Sequence, residues 1–358
     1  MRIIQIIDSL EAGGAERMAV NYANALAYKI EFSGLVATRK EGTLLNQIHL
    51  DVAYLFLNKK SKIDFSALFR LRSFIVKNEV THIHAHSTSF FLAFLLKLIC
   101  PTLKLIWHNH YGNSEFLPKS KLLVLRIITP FFDGIIAVNQ NLKKWAEQKL
   151  HFKKTVYLPN FSTKEIKTHH PTFLKGIEGK RIVLLANLRE EKNHFLLLEV
   201  AQQLKQSHSD WTFHLIGKDF EDEYAFEIKR SVSNYKLENH VFLYGSQEDI
   251  GNILHQASIA VLTSKFEGLP VALLEYGLYK KAIVVTSVGE IPTIVLHGQN
   301  GFVVNPDQSE VFYQFLVKLI DNEVLRVTFG ETLFDTIQTG YIAESVMGKY
   351  LNWLHQLK

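Results

Sequence analysis

Short runs rich in isoleucine, valine and leucine alternate with segments of helical periodicity along the whole chain. Such continuous apolar runs are typical of parallel strands that are buried on both faces, with the helical segments as crossovers between them. A length of 358 residues favours two domains of ordinary size. The alternation therefore predicts an α/β protein built from two doubly wound domains.

The predicted elements fall into two groups, separated by a stretch without clear periodicity between Asn160 and Gly179. We place a linker there and expect domains at 1–161 and 162–342, with ligand-binding loops at the carboxyl ends of the strands, facing a cleft. The predicted strands are Arg2–Asp8, Phe32–Thr38, Val52–Leu57, Thr81–His86, Lys104–His108, Gly134–Val138, Thr155–Leu158, Arg181–Ala186, Thr212–Ile216, His240–Tyr244, Ile259–Leu262 and Ala282–Thr286.

The final segment, 343–358, has Val346, Tyr350, Trp353 and Leu357 at the spacing of one helical face. An apolar face of this kind needs a surface on which to dock. We therefore predict a terminal helix that packs on one of the domains.

Composition excludes several classes of protein. A hydrophobic share of 47% with 21% charged residues excludes disordered and fibrous chains. The single cysteine, Cys100, excludes an intramolecular disulfide and a zinc site of several thiolates, as is typical of a reducing compartment. The longest apolar run, Phe90–Cys100, is interrupted by Lys97 and is shorter than the roughly 20 residues that span a bilayer. We expect a folded, cytoplasmic protein.

Charge is distributed unevenly between the two halves. Residues 1–160 contain 21 Lys and Arg against 11 Asp and Glu, a net charge of +10, and the remainder contains 19 against 24, a net charge of −5. The basic half suits nucleic acid, anionic lipid headgroups or a phosphorylated substrate. Its aromatic residues are scattered through apolar runs without a stacking motif, so we do not expect nucleic acid as a partner.

Two strand-to-helix loops carry candidate anion-binding groups. Adjacent Gly13 and Gly14 open a helix after the first strand, where backbone N–H groups can approach an anion or a sugar, although a tight turn would also favour glycine. Arg189 and Lys192 follow the first strand of the second half and can close around a diphosphate, unless neighbouring glutamates merely compensate them. The first loop lacks G-x-G-x-x-G, and no G-x-x-x-x-G-K-[ST] loop occurs in the sequence, which disfavours nicotinamide and P-loop chemistry.

A third loop places Glu267 after a strand and Glu275 eight positions later on the following helix. Gly268 and Pro270 between them suit a sharply formed helix start whose N–H groups face a phosphate. The two carboxylates can accept hydrogen bonds from the hydroxyls of a bound sugar and a ribose. Two glutamates at this spacing are common by chance, and it is their position around Gly268 and Pro270 that points to a site.

Together these features resemble the retaining glycosyltransferases of the GT-B fold in the group called family 4, or glycosyl transferases group 1. The likeness covers nearly the whole chain in the family's order. The matching segments are Gly13–Arg17, Leu158–Asn160, Arg189 with Lys192, Glu267–Glu275, Val288–Pro292 and Asn300–Val304. The chain departs from the family pattern at Tyr276–Ala282 and at Thr293, so the resemblance does not identify the sugar.

The resemblance implies two Rossmann-like domains and a terminal helix, 343–358, that returns to the N-terminal domain. It also implies the transfer of a hexose with retention of anomeric configuration. The donor is a nucleotide-diphosphate sugar, with UDP as the favoured nucleotide. This co-substrate is held mainly by the C-terminal domain, and no further cofactor is implied. The implied contacts are Arg189 and Lys192 to the diphosphate, Glu275 to the ribose, Glu267, Gly268, Leu269 and Pro270 to the donor sugar, and His110 to the donor from across the cleft.

The chemistry implied by the resemblance needs no metal. Arg189, Lys192 and the helix start would stabilise charge on the leaving diphosphate, and a diphosphate oxygen would take the acceptor proton. Glu267 would hold hydroxyls and stabilise the cationic sugar rather than act as a nucleophile. Histidines at alternate strand positions invite a metal hypothesis, but few carboxylates neighbour them, and we predict no metal; they are His82, His84, His86 and His108.

Family members of this length commonly build bacterial surface polysaccharides on lipid-linked acceptors. We therefore expect a saccharide or lipid-linked acceptor, and peripheral contact of the basic half with anionic lipid at the inner face of the cell membrane. Two alternatives remain. A nucleotide-sugar epimerase of the same fold would need no acceptor, and a non-catalytic partner in a synthase complex would usually lack the Arg189 and Lys192 set and the two glutamates.

Overall fold

The computed structural model describes residues 1–110, 117–163 and 171–357. The chain divides into two compact units, Met1–Phe161 with Ala343–Lys358, and Ser162–Ile342. Each unit contains a parallel sheet flanked by helices, which confirms the predicted pair of Rossmann-like α/β domains. The predicted linker includes residues 164–170, which lie outside the described residues.

The strands are β1 Arg2–Ser9, β2 Phe32–Lys40, β3 Ala53–Phe56, β4 His82–His86, β5 Lys104–Asn109, β6 Gly134–Ala137, β7 Thr155–Tyr157, β8 Arg181–Leu185, β9 Thr212–Ile216, β10 Val241–Leu243, β11 Ile259–Leu262, β12 Ala282–Thr286 and β13 Phe302–Val304. The helices are α1 Gly14–Ala27, α2 Phe65–Lys77, α3 Phe90–Ile99, α4 Lys119–Ile128, α5 Gln140–Lys149, α6 His194–Ser207, α7 Glu223–Asn234, α8 Ile250–Gln256, α9 Val271–Leu278, α10 Ile291–Ile294, α11 Ser309–Ile320, α12 Glu323–Gly340 and α13 Ala343–Gln356. Short 3₁₀ turns lie at Thr43–Gln47, Ser87–Ser89, Thr129–Phe131 and Glu190–Lys192.

The first sheet has the order β3-β2-β1-β4-β5-β6-β7, and its strands pair in parallel. The order reverses between β1 and β4, so the loops that follow these two strands diverge at the carboxyl edge of the sheet. Open α/β sheets bind ligands at such a switch point. Gly13 and Gly14 lie in the loop that follows β1.

The second sheet has the order β10-β9-β8-β11-β12-β13, again with parallel pairing. Its switch point lies between β8 and β11. The loop after β8 carries Lys192 and the loop after β11 carries Glu267, so the sheet order places two of the predicted site residues on adjacent connections.

Apolar runs form the centres of both sheets. All five residues of β12 are buried, as a strand covered on both faces requires. The strand β13 was not predicted, because its three residues were considered only as part of the Asn300–Val304 motif. Among the described residues, no helix combines the length and the apolar character needed to cross a membrane.

The terminal helix α13 packs against α1 within the first unit. Its Tyr350 is fully buried, and the hydroxyl lies 3.1 Å from Nδ1 of His84. Its Trp353 lies so close to β6 that a Cβ at Gly134 would stand 2.5 Å from the indole ring. Glycine at this position therefore lets the helix approach the sheet.

Candidate active site

A largely buried ion pair joins two of the predicted site residues in the second unit. Nζ of Lys192 lies 2.6 Å from Oε1 of Glu267, and the two side chains are 24% and 9% exposed. The hydroxyl of Ser264 donates a second hydrogen bond to the same carboxylate oxygen at 2.7 Å. A cation and an anion thus stand side by side at the edge of the sheet where ligands bind.

Main-chain geometry holds the two loops together. Asn193 has φ of 53°, in the left-handed region, where the chain turns from the Lys192 loop into α6. The hydroxyl of Thr263 donates a hydrogen bond to the carbonyl oxygen of Lys192 at 2.8 Å. The backbone N–H of Lys265 donates to the carbonyl oxygen of Glu191, also at 2.8 Å. These bonds place the Lys192 side chain over the Glu267 loop.

The segment Gly268–Pro270 leads into α9. Pro270, the N-cap residue, makes no side-chain capping bond, so the first N–H groups of the helix can meet an anionic ligand. The loop is held from behind by Gly289, which has φ of 56° and at which a Cβ would lie 2.3 Å from the carbonyl oxygen of Glu267. Only glycine fits there, which gives the Val288–Pro292 motif a structural reason.

Arg189 and Glu275 belong to the same two connections as this pair but have different surroundings. The Arg189 guanidinium stacks over Phe220 at 4.5 Å from the ring centre, and its side chain is 51% exposed. Glu275 lies partly buried on α9. Its neighbour Tyr276 is fully buried and bonds β8 to β11, because its hydroxyl accepts from the N–H of Leu185 and donates to a carbonyl of β11. The departure from the family pattern thus fills the core behind the site.

In the first unit, Gly13 and Gly14 stand at the start of α1. Gly13 is extended, with φ of −165°, and neither glycine has a positive φ. A Cβ at Gly14 would meet no described atom within 4 Å, whereas one at Gly13 would meet only the mobile carboxylate end of Glu16. A tight turn therefore does not explain the pair, and the open space above Gly14 is available to a ligand.

The last predicted site residue, His110, belongs to a stacked cluster of four histidines. Nε2 of His84 lies 3.0 Å from Nδ1 of His108, and Nδ1 of His86 lies 3.0 Å from Nε2 of His110. The ring centres of His108 and His110 are 3.9 Å apart. Burial lowers the pKa of His110 to about 3 and the pKa values of the other three well below the ordinary 6.5. All four imidazoles are therefore neutral at pH 7.

A hydrogen-bonded chain sets the tautomer of His110. Oε1 of Gln5 lies 2.9 Å from Nε2 of His86, and Nε2 of Gln5 is buried without a partner among the described residues. In this orientation the amide oxygen accepts, so Nε2 of His86 carries the proton of the neutral ring. Nδ1 of His86 must then accept from the N–H at Nε2 of His110. This leaves Nδ1 of His110 with its lone pair. His110 can accept a hydrogen bond from a ligand hydroxyl, but it cannot supply a proton from its ring at neutral pH.

We expect the histidine cluster to make the fold sensitive to acid. Between the low pKa values of the folded state and the ordinary value near 6.5, the unfolded chain binds more protons, so the free energy of unfolding falls as the pH falls. Each such histidine contributes a slope of about 1.4 kcal/mol per pH unit below 6.5. Thermal unfolding measured from pH 7.5 to pH 5 should show a steadily falling midpoint, and His110→Asn should reduce the slope. A midpoint that stays constant over this range would contradict the expectation.

Three of these residues, His84, His86 and His108, also bring ligand nitrogens within 4.8 Å of one another, as a metal site would require. In the described residues, five of their six ring nitrogens already face a hydrogen-bond partner, and Nε2 of His108 does not. A metal ion would have to replace those bonds. His82 stands apart and bonds to Thr81. The prediction of no resident metal stays a prediction.

Several functional contacts were not predicted from the sequence. Ser264, which bonds Glu267, stands three residues before it in the motif, and Gly289 was noted only as part of a matching segment. Gln5 is fully buried within the apolar strand β1. A lone polar residue inside such a run is a signal that could have been used, because buried amides need partners.

Comparisons with known proteins identify the family of both halves of the chain. Residues 12–161 match the family described as Glycosyltransferase Family 4, and residues 165–333 match the family described as Glycosyl transferases group 1. An uncharacterized glycosyltransferase of Haemophilus influenzae is 24% identical over 329 residues, which are 89% of this chain and 90% of that protein. An α-1,4-N-acetyl-D-galactosaminyltransferase of Campylobacter jejuni, named for a saccharide on PP-undecaprenol, is 26% identical over 294 residues, 77% of this chain and 76% of that protein.

Among solved structures, Anabaena HepE in complex with UDP and glucose superimposes with a TM-score of 0.80 at 18% identity, over 99% of both chains. At this level of identity the likeness establishes a shared fold, which is the two-domain GT-B fold.

Proposed function

Because this chain belongs to the group 1, family 4 glycosyltransferases, we propose that it transfers a hexose-type sugar from a nucleotide-diphosphate sugar, with UDP as the favoured nucleotide, and with retention of anomeric configuration. The acceptor is a hydroxyl of a saccharide or a lipid-linked saccharide in bacterial surface polysaccharide synthesis. The observation that carries the proposal is the Lys192 and Glu267 pair at the switch point of the second sheet.

Donor binding would change the partner of Lys192. A diphosphate carries more negative charge than one carboxylate, so it competes with Glu267 for the ammonium group. The exposed Arg189 guanidinium adds a second cation, and the N–H groups at the start of α9 add fixed donors. Once Lys192 turns to the phosphates, Glu267 is free to accept hydrogen bonds from the donor sugar, and Glu275 takes the ribose.

The transfer step breaks the bond between the anomeric carbon and a diphosphate oxygen. Negative charge grows on the diphosphate, where Lys192, Arg189 and the start of α9 stabilise it. The acceptor oxygen bonds to the anomeric carbon on the face that the diphosphate leaves, and its proton passes to a diphosphate oxygen. Glu267 stabilises the positive charge on the sugar ring. His110, whose Nδ1 keeps its lone pair in this tautomer, accepts a hydrogen bond from a sugar hydroxyl. This assignment uses no resident metal.

The relatives support the choice of donor and acceptor classes. HepE is crystallised with UDP and glucose, and the Campylobacter jejuni relative is named for a PP-undecaprenol saccharide. The basic first half, with exposed apolar side chains on α4 such as Leu123 and Ile127, suits peripheral contact with anionic lipid at the inner face of the cell membrane.

A two-step experiment tests the function. Thermal shifts with UDP-, GDP- and ADP-sugars come first, since a ligand at 100 times its dissociation constant adds about 2.7 kcal/mol to the unfolding free energy. The sugar that stabilises most is then offered with candidate acceptors, and the product linkage is read by NMR. We expect a UDP-sugar to stabilise and an α-donor to yield an α-linkage. If no nucleotide sugar stabilises the protein, the proposal is contradicted. A β-linkage in the product would contradict retention. Conversion of the donor in the absence of any acceptor would indicate an epimerase.

A further inference from the structure

A cavity of about 600 Å³ opens at the carboxyl edge of the first sheet. This volume is in the range of small-molecule sites in proteins. Strand ends and the loops after them supply one part of its wall, with Asp8, Arg39 and Lys59, and the helices α3 and α4 supply another. The cavity belongs entirely to the first unit and contains none of the residues placed in donor binding.

The charged side chains of the wall are predominantly basic. Arg39, Lys59, Lys62 and Lys121 line the cavity, with Asp8 as the carboxylate among the described lining residues. Both oxygens of Asp8 are already engaged, because the hydroxyls of Thr38 and Thr88 each donate to one of them at 2.5 Å. The excess of cations is typical of a site for an anion with more than one charge.

Among these cations, Lys59 gives the strongest evidence for an anion-binding site. Its side chain is only 7% exposed although it lines the cavity. No hydrogen bond or ion pair to its ammonium group is found among residues 1–110, 117–163 and 171–357. Burial, and then the charge of Arg39, lower the pKa of Lys59, and the carboxylates of Asp8 and Asp64 offset this only in part. A buried lysine without a partner is costly, and an anion in the cavity would remove that cost.

The opposite part of the wall is apolar. Phe90, Phe91, Trp107 and Val124 face the cavity, and the Trp107 N–H is already bonded to the carbonyl of Ser87 at 3.0 Å. These side chains offer a surface of rings and methyl groups to a hydrocarbon.

This apolar wall continues onto the protein surface. On α4, Val124 is 46% exposed and Ile127, three residues later, is 62% exposed. Phe131, in the 3₁₀ turn that follows the helix, is 40% exposed. The Phe131 ring packs on Phe94 of α3 at 5.0 Å between centres. A strip of exposed hydrophobic side chains therefore leads away from the mouth of a basic cavity.

We propose that this cavity binds the phosphate or diphosphate of an amphiphilic acceptor, whose hydrocarbon chain leaves along the strip of Val124, Ile127 and Phe131. The inference rests on the proposed function, since it specifies the acceptor as a phosphate-linked lipid. Arg39, Lys59 and Lys62 hold the phosphate groups by charge-assisted hydrogen bonds, and the aromatic wall holds the first hydrocarbon units. A soluble phosphorylated sugar would use the cations without the strip, and a flat anionic membrane would use neither the cavity nor its buried lysine.

Calorimetric titration of the full chain, without sugar donor, tests the cavity with three probes: farnesyl diphosphate, inorganic diphosphate and farnesol. We expect farnesyl diphosphate to bind at least about tenfold more tightly than either other probe, because it alone uses both parts of the wall. The double variant Lys59→Gln, Lys62→Gln should weaken its binding about tenfold or more. The matched control is Lys153→Gln, Lys154→Gln, which removes the same charge at exposed lysines outside the cavity and should bind as the wild type does.

A second variant separates the lipid from free phosphate. Ile127→Ser lies on the exposed strip and should weaken farnesyl diphosphate severalfold while leaving inorganic diphosphate unchanged. Equal affinity for farnesyl diphosphate and inorganic diphosphate would overturn the proposal in favour of a soluble phosphate site. Unchanged binding by the lysine double variant would overturn it altogether.

Vesicle flotation separates the cavity ligand from a charged membrane. Phosphatidylcholine vesicles that contain a few per cent of a polyprenyl phosphate should recruit the protein, and the lysine double variant should lose this recruitment. Recruitment to phosphatidylglycerol vesicles of the same charge follows from the general contact with anionic lipid and should not depend on Lys59 and Lys62. An equal loss of recruitment to both kinds of vesicle in the lysine double variant would overturn the proposal. If these tests fail while the protein still binds a nucleotide sugar and transfers sugar to a saccharide without phosphate, the proposed function stands and only the cavity assignment is wrong. If no nucleotide sugar binds, the proposed function itself is wrong.

Discussion

Replacing Glu267 with glutamine should reduce the rate of sugar transfer by about 10²-fold or more while UDP binds as tightly as before, or more tightly. Glutamine keeps the shape of the side chain but removes the negative charge that faces the cationic sugar. It also removes the carboxylate that lies 2.6 Å from the Lys192 ammonium group, so the ammonium group becomes available to the diphosphate. Calorimetric titration with UDP, beside transfer rates with the intact donor, measures both effects.

The matched control for this variant is Ser264→Ala. It removes the second hydrogen bond to the same oxygen of Glu267 but leaves the carboxylate charge in place. We expect it to lower the transfer rate by less than about tenfold, as loss of one neutral hydrogen bond would. A fully active Glu267→Gln enzyme would show that the carboxylate serves only to neutralise Lys192.

Replacing Lys192 with alanine should lower both UDP affinity and turnover, with turnover reduced by about 10²- to 10³-fold. The ammonium group meets charge that is present in the bound diphosphate and grows further as the bond breaks, so its loss affects binding and the transition state together. The variant also leaves the Glu267 carboxylate, which is 9% exposed, without its cation. We therefore expect a lower unfolding temperature as well.

The double variant Lys192→Ala, Glu267→Gln distinguishes the chemical role of Lys192 from a structural one. Removing the unpaired carboxylate should restore much of the lost thermal stability, because the uncompensated charge is gone. Transfer should stay as low as in the single variants, since both groups act on the same donor. Recovery of transfer in the double variant would show that Lys192 only balances Glu267.

The fold was predicted where the local pattern is strong. The predicted bounds of β11 and β12 agree with the structure, because continuous runs of isoleucine, valine, leucine and alanine mark strands that are buried on both faces. The strand β13 was missed, because its residues were considered only as part of the Asn300–Val304 motif, and the pattern could not give the order of strands in either sheet. Strand order depends on which apolar surfaces pack against each other, and no single segment of the sequence contains that information.

The candidate site was predicted as a set of residues that would contact one donor. The structure adds that Lys192 and Glu267, which are 75 positions apart, form an ion pair with each other. It also adds the series of hydrogen bonds from Gln5 through His86 to His110. Gln5 and His86 are 81 positions apart in the sequence. Neither contact has a local signature, and each exists because the strand order places two loops or two strands side by side.

The sequence by itself determined the class of elements, the positions of the ligand-binding loops and the residue types in them, because side-chain periodicity and the chemistry of glycine, lysine and glutamate act over a few neighbouring residues. Only the tertiary structure decided which of those residues meet, which histidines lose their charge, and that Lys59 stands buried without a partner at the wall of a cavity. Burial and pairing are properties of packed surfaces, and those surfaces come from segments that are distant in the chain.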